Sequence, residues 1–257
     1  MDYLTVNKNA WDKRVDTHVK SDFYDVGGFL NGKSSLNDIE LEQVGDVNGK
    51  HLLHLQCHFG QDTLSWARLG ARVTGVDLSS EAIEKANELA STLKLDAQFI
   101  NDDVYRFGDN NTTQFDIVFT SYGVLCWLPD VDRWAQTIAK ALKVGGEFHM
   151  VEFHPAIDLV FGYNYFSTVE PSVELEGTYT DGQSEEKNQT MQWSHSIGEV
   201  ITALNKAGIA LDAFQEYPYS PYNCFNDMEE VEGKGYQLHH QGHAIPLLYS
   251  IKGRRVK

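Results

Sequence analysis

Between residues 51 and 153 the chain alternates short apolar runs with longer stretches in which apolar residues recur every three or four positions. The runs at 52–55, 73–76, 97–100, 115–120 and 147–153 predict strands. Ala82, Ile83, Ala86, Leu89, Ala90 and Leu93 form one helical stripe behind the candidate caps Ser79 and Ser80. Glu81 and Glu84 stand in its first turn, where the helix dipole favours acids. A second stripe, Val131, Trp134, Ala135, Ile138 and Leu142, is expected to end at Gly145-Gly146. Strands alternating with helices over short connections predict an α/β fold with a parallel sheet covered on both faces. The pattern lapses from about 155 to 192 and resumes as a helix at 197–207, a strand at 209–214 and a last strand at 245–251. Residues 1–48 read as a helical cap with Trp11, Val15, His18 and Val19 on one face, and 49–257 as the main domain with an insertion at about 155–192.

The segment HLLHLQCHFGQDTLSWARLGARVTGVD, residues 51–77, reads as strand, turn, helix and strand closed by an acid. Such a unit is the first half of a nucleotide-binding sheet, yet its turn keeps only Gly60 where close backbone approach usually calls for several glycines. Ligands of open parallel sheets sit beyond the carboxyl ends of the strands. Those ends are Gln56 to Gly60, Asp77, Asp102-Asp103, Ser121-Tyr122, and Glu152 with His154. Asp77 is placed to accept both hydroxyls of a ribose, with a solvated strand-end acid as the plain alternative. Asp103 suits an adenine amino group and the Val104 amide the ring edge, against the alternative of a loop acid.

Composition narrows the partners. A chain of 257 residues with 42% hydrophobic content can bury a full core. Thirty-seven acidic against 21 basic residues give a net charge of -16, which opposes binding to nucleic acid or anionic lipid. With no apolar leader and no run long enough to cross a bilayer, a soluble, cytoplasmic protein is expected. Cys57, Cys126 and Cys224 are odd in number and far apart, which fits reduced thiols. His239, His240 and His243 have no carboxylate or Cys at matching spacing, so no metal is expected.

Taken in order, LLHLQCHFG, VTGVDLS, FINDDV, FDIVFTSYGVLCWLPD and LKVGGEF resemble the class I S-adenosylmethionine-dependent methyltransferases over about 49–153. The resemblance implies a seven-stranded, mostly parallel Rossmann-like sheet of order 3-2-1-4-5-7-6 with strand 7 antiparallel, matched by the terminal IPLLYSIKGR. It implies S-adenosylmethionine as cofactor, with Asp77 and Leu78 at the ribose, Asp103 and Val104 at adenine, and Gln56, Cys57, His58, Gly60 and Ser121 around the methionine end. The chain departs from the family in the glycine loop, where His54, Gln56 and His58 stand in place of an acid and two glycines. Gln56 and His58 either contact cofactor or acceptor, or pack within a rigid turn. The expected reaction is methyl transfer to a small-molecule acceptor. His154, Glu152 and His58 are the candidate bases, followed by Tyr122. Phe161, Tyr163, Tyr165 and Phe166, with Tyr217, Tyr219 and Tyr222, form an acceptor cage or else pack a lid or a homodimer contact. The alternatives are a non-catalytic binding protein of the same fold and a nicotinamide-dependent oxidoreductase, though the latter's G-x-G-x-x-G is missing.

Overall fold

The computed structural model describes residues 2–180 and 187–257. Three N-terminal helices, α1 (Tyr3–Lys20), α2 (Val26–Leu30) and α3 (Asp38–Val44), precede the alternating unit. That unit runs β1 (His51–Leu55), α4 (Gln61–Arg68), β2 (Arg72–Asp77), α5 (Ser80–Leu93), β3 (Ala97–Asn101), α6 (Val104–Asn110), β4 (Phe115–Ser121), α7 (Val131–Ala141) and β5 (Leu142–Phe153). Next come α8 (Ala156–Val160), the hairpin β6 (Ser172–Glu176) and β7 (Asn188–Gln192), α9 (Ile197–Ala207) and β8 (Ile209–Tyr217). Two small hairpins follow, β9 (Glu229–Val231) with β10 (Gly235–Gln237) and β11 (His239–His240) with β12 (His243–Ala244), before β13 (Leu248–Arg255).

The central sheet has seven strands in the order β3-β2-β1-β4-β5-β13-β8. Its only antiparallel pairings are those of β13 with β5 and with β8, which reproduces the expected topology under different strand numbers. Both faces of the sheet are covered, so successive strand residues enter different cores. Leu53 and Leu55 pack with α6, α7 and α9, while Leu52 packs with Trp66 and the α3 region. Val15 and Phe29 of the N-terminal segment pack with Leu64 and Leu89, so the cap shares its core with the main domain. Among the described residues no helix is long and apolar enough to cross a membrane.

Several boundaries differ from the periodicity reading, two of them for a clear physical reason. The helix before β5 ends at Ala141 and not at Gly145-Gly146, because Leu142 is fully buried opposite Phe115 at a register irregularity of the β4–β5 pair. The final strand begins three residues later than expected and continues to Arg255, where pairing with β8 sustains it past the apolar run. The long insertion holds α8 and the β6–β7 hairpin, and β7 packs on α1. Asn7 fixes that contact, donating from Nδ2 to Met191 O at 2.8 Å and accepting from Met191 N at 2.9 Å.

Candidate functional site

The turn after β1 keeps the backbone of a glycine loop without its glycines. Gln56, His58 and Gly60 have φ of 57°, 49° and 79°, so three alternate residues lie in the left-handed region. A side chain there costs about 1–2 kcal/mol. Gly60 could take one only if its surroundings shifted, since a Cβ would lie 2.7 Å from the Phe99 ring and 3.0 Å from the Ala86 Cβ. Gln56 donates from Nε2 to Val124 O at 2.8 Å, joining this turn to the loop after β4. Cys57 is buried, and Gly75 makes room for it, because a Cβ there would lie 2.8 Å from its Sγ. Burial also pushes the Cys57 thiol well above its ordinary value.

A cavity of 770 Å³ opens at the carboxyl ends of the parallel strands and is lined by all the residues expected from the sequence at the cofactor site. Asp77 accepts from His58 N at 2.7 Å and from Ser79 N at 2.9 Å. Burial raises its carboxyl to about 6 against these two lowering contacts. One oxygen of Asp103 caps α6 through the Tyr105 and Arg106 amides, at 3.0 and 3.1 Å, and the cap does not include the Val104 amide. Val104 N is the first helical amide, a position with no intrahelical acceptor. Ser121 donates to Asp62 Oδ2 at 3.2 Å. Asp62, whose carboxyl burial pushes upward, is a cavity residue that the sequence reading missed, since a first-turn helix acid is also a common surface feature.

The three candidate bases differ sharply in what their polar atoms already do. Glu152 accepts from the amides of Val124 at 2.9 Å, Leu125 at 3.2 Å and Phe153 at 2.7 Å, and from that of Gly123 as well. It therefore anchors the loop after β4. His154 accepts at Nδ1 from Ala156 N at 3.0 Å, which leaves Nε2 to donate to Glu216 at 2.8 Å. Both of its ring nitrogens are thus in use. His58 pairs Nε2 with His18 Nδ1 at 2.9 Å, and its Nδ1 is buried without a partner. His18 in turn meets Thr178 Oγ1 at 2.5 Å. Burial, reinforced by the Arg14 charge, lowers His18 to about 3 and His58 well below its ordinary value, so both are neutral at pH 7. His54, in place of the family's acid, bonds Thr63 Oγ1 at 2.8 Å and is likewise held neutral by burial, at about 3.

The aromatic wall comes largely from other segments than those expected. Tyr222 lines the cavity, but Tyr217 and Tyr219 do not, nor do the four aromatics of the insertion. Phe161, Tyr163 and Phe166 are solvent-exposed. In their place Phe23 stacks on Tyr222 at 5.3 Å, Tyr122 meets Tyr222 edge-on at 5.0 Å, and the Tyr24 and Tyr179 hydroxyls meet at 2.5 Å. The parts that could hold S-adenosylmethionine are present together: an acid at the end of β2, a helix N-terminus at the end of β3, and unpartnered buried atoms at Gln56 Oε1 and His58 Nδ1.

Comparison with known proteins agrees with this geometry. The family described as "Methyltransferase domain" matches residues 53–148. The ubiquinone biosynthesis O-methyltransferase of Coxiella burnetii is 27% identical over 195 residues, covering 73% of this chain and 80% of its own length. That of Alkalilimnicola ehrlichii is 24% identical over 247 residues, covering 92% and 94%. Among solved structures, an S-adenosylmethionine-dependent methyltransferase from Methanosarcina mazei superposes with a TM-score of 0.60 at 17% identity, covering 86% of this chain and 98% of its own. A putative one from Listeria monocytogenes gives 0.59 at 16%, covering 91% and 100%. These two likenesses concern the fold, which is the one built here strand by strand. Residues 53–148 thus match a methyltransferase domain, within a chain that has the fold of S-adenosylmethionine-dependent methyltransferases.

Proposed function

We propose that the enzyme methylates a small molecule seated between the cofactor residues and the aromatic wall of Phe23, Tyr122 and Tyr222. The observation that carries this reading is the single cavity reaching from Asp77 and Asp103 to Tyr222. Stacked and edge-on rings suit a flat, largely apolar acceptor and keep water from it. The naming of the two bacterial relatives as O-methyltransferases favours a hydroxyl on that acceptor. A net charge of -16 favours a small acceptor over nucleic acid, and three free cysteines favour a cytoplasmic setting.

Bound S-adenosylmethionine would supply an already electrophilic methyl carbon, so positioning carries most of the rate. On this reading Asp77 orients the ribose, Asp103 and Val104 the adenine, and Ser121 with the turn at Gln56 to Gly60 the methionine end. Should the acceptor release a proton, His58 Nδ1 is the free candidate, because Glu152 and His154 are committed elsewhere. Calorimetry tests the cofactor assignment: S-adenosylhomocysteine should bind and NAD should not. Binding of NAD without S-adenosylmethionine or S-adenosylhomocysteine would overturn it. Release of S-adenosylhomocysteine across a panel of phenols, aliphatic alcohols and amines tests the acceptor class, and turnover confined to amines would refute the hydroxyl.

A further inference from the structure

Arg14 is a buried cation in a cavity whose other charged walls are mostly carboxylates, among them Asp62, Asp77, Asp103 and Asp158. Its side chain is 5% exposed. Among the described residues Nη2 alone makes its two hydrogen bonds, to Glu176 Oε1 and Gly177 O, each at 2.9 Å. The guanidinium carbon lies 5.2 Å from the ring centre of Trp11 and 5.9 Å from that of Trp127. Among the described residues Nε is buried and has no partner. Leaving a charged donor buried and unsatisfied is costly, and a guanidinium held against two rings is pre-organised to meet an anion. Since Glu176 is 42% exposed, that ion pair gains little and offsets the buried charge only in part.

The turn after β1 shows why an anion is needed there. In a glycine loop the backbone amides are free to cradle a ligand's negative group. Here Cys57 N donates to Val76 O at 3.0 Å, His58 N to Asp77 at 2.7 Å, and Gly60 N to Cys57 O at 3.0 Å. These amides are spent within the protein. Trp11, against which the guanidinium lies, meets the His58 ring edge-on at 5.2 Å, which places the guanidinium beside this turn. Trp127, in edge contact with Trp11 at 5.3 Å, belongs to the loop that follows Ser121.

We propose that Arg14, reaching in from α1 with an unspent Nε–H beside a turn that has spent the amides of Cys57, His58 and Gly60, is the residue that binds the α-carboxylate of the methionine moiety. This inference rests on the cofactor assignment above and assigns to the N-terminal helix a task that the turn can no longer perform. The β6–β7 hairpin, through Glu176 and Gly177, holds the guanidinium in place without itself contacting the anion.

Calorimetry with two probes separates this role from simple support. S-adenosylhomocysteine carries the carboxylate, whereas 5′-methylthioadenosine carries the same adenosine and sulfur without it. Arg14→Gln should weaken S-adenosylhomocysteine by at least about tenfold while 5′-methylthioadenosine stays within about twofold of the original protein. Glu176→Gln, which loosens the tie to the hairpin but keeps the cation, should leave both within about twofold. Retained 5′-methylthioadenosine binding reports an intact site, and Arg14→Lys, which restores the charge, should recover part of the loss. Equal losses for both probes in Arg14→Gln, no loss for either, or a Glu176→Gln loss matching that of Arg14→Gln would each overturn the proposal. If the original protein binds neither S-adenosylmethionine nor S-adenosylhomocysteine, the cofactor assignment fails instead.

Discussion

Asp77 should make cofactor binding depend on pH. Its carboxyl is raised to about 6 mainly by burial, and it must be ionised to accept two ribose hydroxyls at full strength. If only the ionised form binds well, the apparent dissociation constant grows with the protonated fraction, so affinity at pH 5 should be about tenfold below that at pH 8. The loss corresponds to about 1.4 kcal/mol. At pH 6 binding should release about half a proton, measurable by calorimetry in two buffers of different ionisation enthalpy. Asp77→Asn keeps the shape and cannot titrate. It should weaken S-adenosylhomocysteine by at least about tenfold at pH 8 and flatten the profile between pH 5 and 8. Glu40 and Asp158 are also raised, to about 7 and about 6, so the difference between the two proteins is the informative quantity. A profile of equal slope in Asp77→Asn, or unchanged affinity at pH 8, would remove Asp77 from the ribose site.

Glu40 is fully buried and raised to about 7, chiefly by burial and then by the Asp62 charge. A group whose folded value lies above its unfolded one contributes stability below the unfolded value and loses it as pH rises through the folded one. Thermal melts should therefore show stability falling from about pH 5 to pH 8, and a fall of the same size in Glu40→Gln would refute this. Gly60→Ala must meet both φ 79° and the Phe99 ring, and should cost about 3 kcal/mol in urea unfolding; a cost below about 1 kcal/mol would show that the ring gives way. His58→Gly relieves backbone strain but removes a buried ring and its bond to His18, for a net loss of about 2 kcal/mol; a gain in stability would mean that strain dominates. Glu152→Gln should loosen the loop after β4 and lower stability by about 2–4 kcal/mol, seen as faster amide exchange at 123–125, and unchanged exchange would sink the anchoring role.

The parallel sheet, its order and the crevice were legible in the chain because they rest on local periodicity and on strand ends. Asp77, Asp103 and Ser121 could be placed for the same reason: Asp77 and Ser121 end the apolar runs of β2 and β4, and Asp103 lies just past the run of the edge strand β3. Gln56 and His58 could be singled out as departures, but their meaning could not be read. Whether a left-handed position tolerates a side chain depends on its surroundings: at 58 the ring packs among Trp11, His18, Tyr24 and Phe59, whereas at 60 Phe99 fills the space. The same holds for the bases, since Glu152 and His154 stand at the right strand end but spend their polar atoms on backbone amides and Glu216. The aromatic wall was expected from the insertion and from Tyr217, Tyr219 and Tyr222, where rings are dense in sequence. Of these only Tyr222 lines the cavity, and folding brings Phe23, Tyr24 and Tyr122 to it from distant segments. Local pattern thus determined the scaffold and put Asp77 and Asp103 at the crevice, whereas long-range packing decided which polar atoms are free, which rings meet, and that Arg14 of α1 enters the cavity.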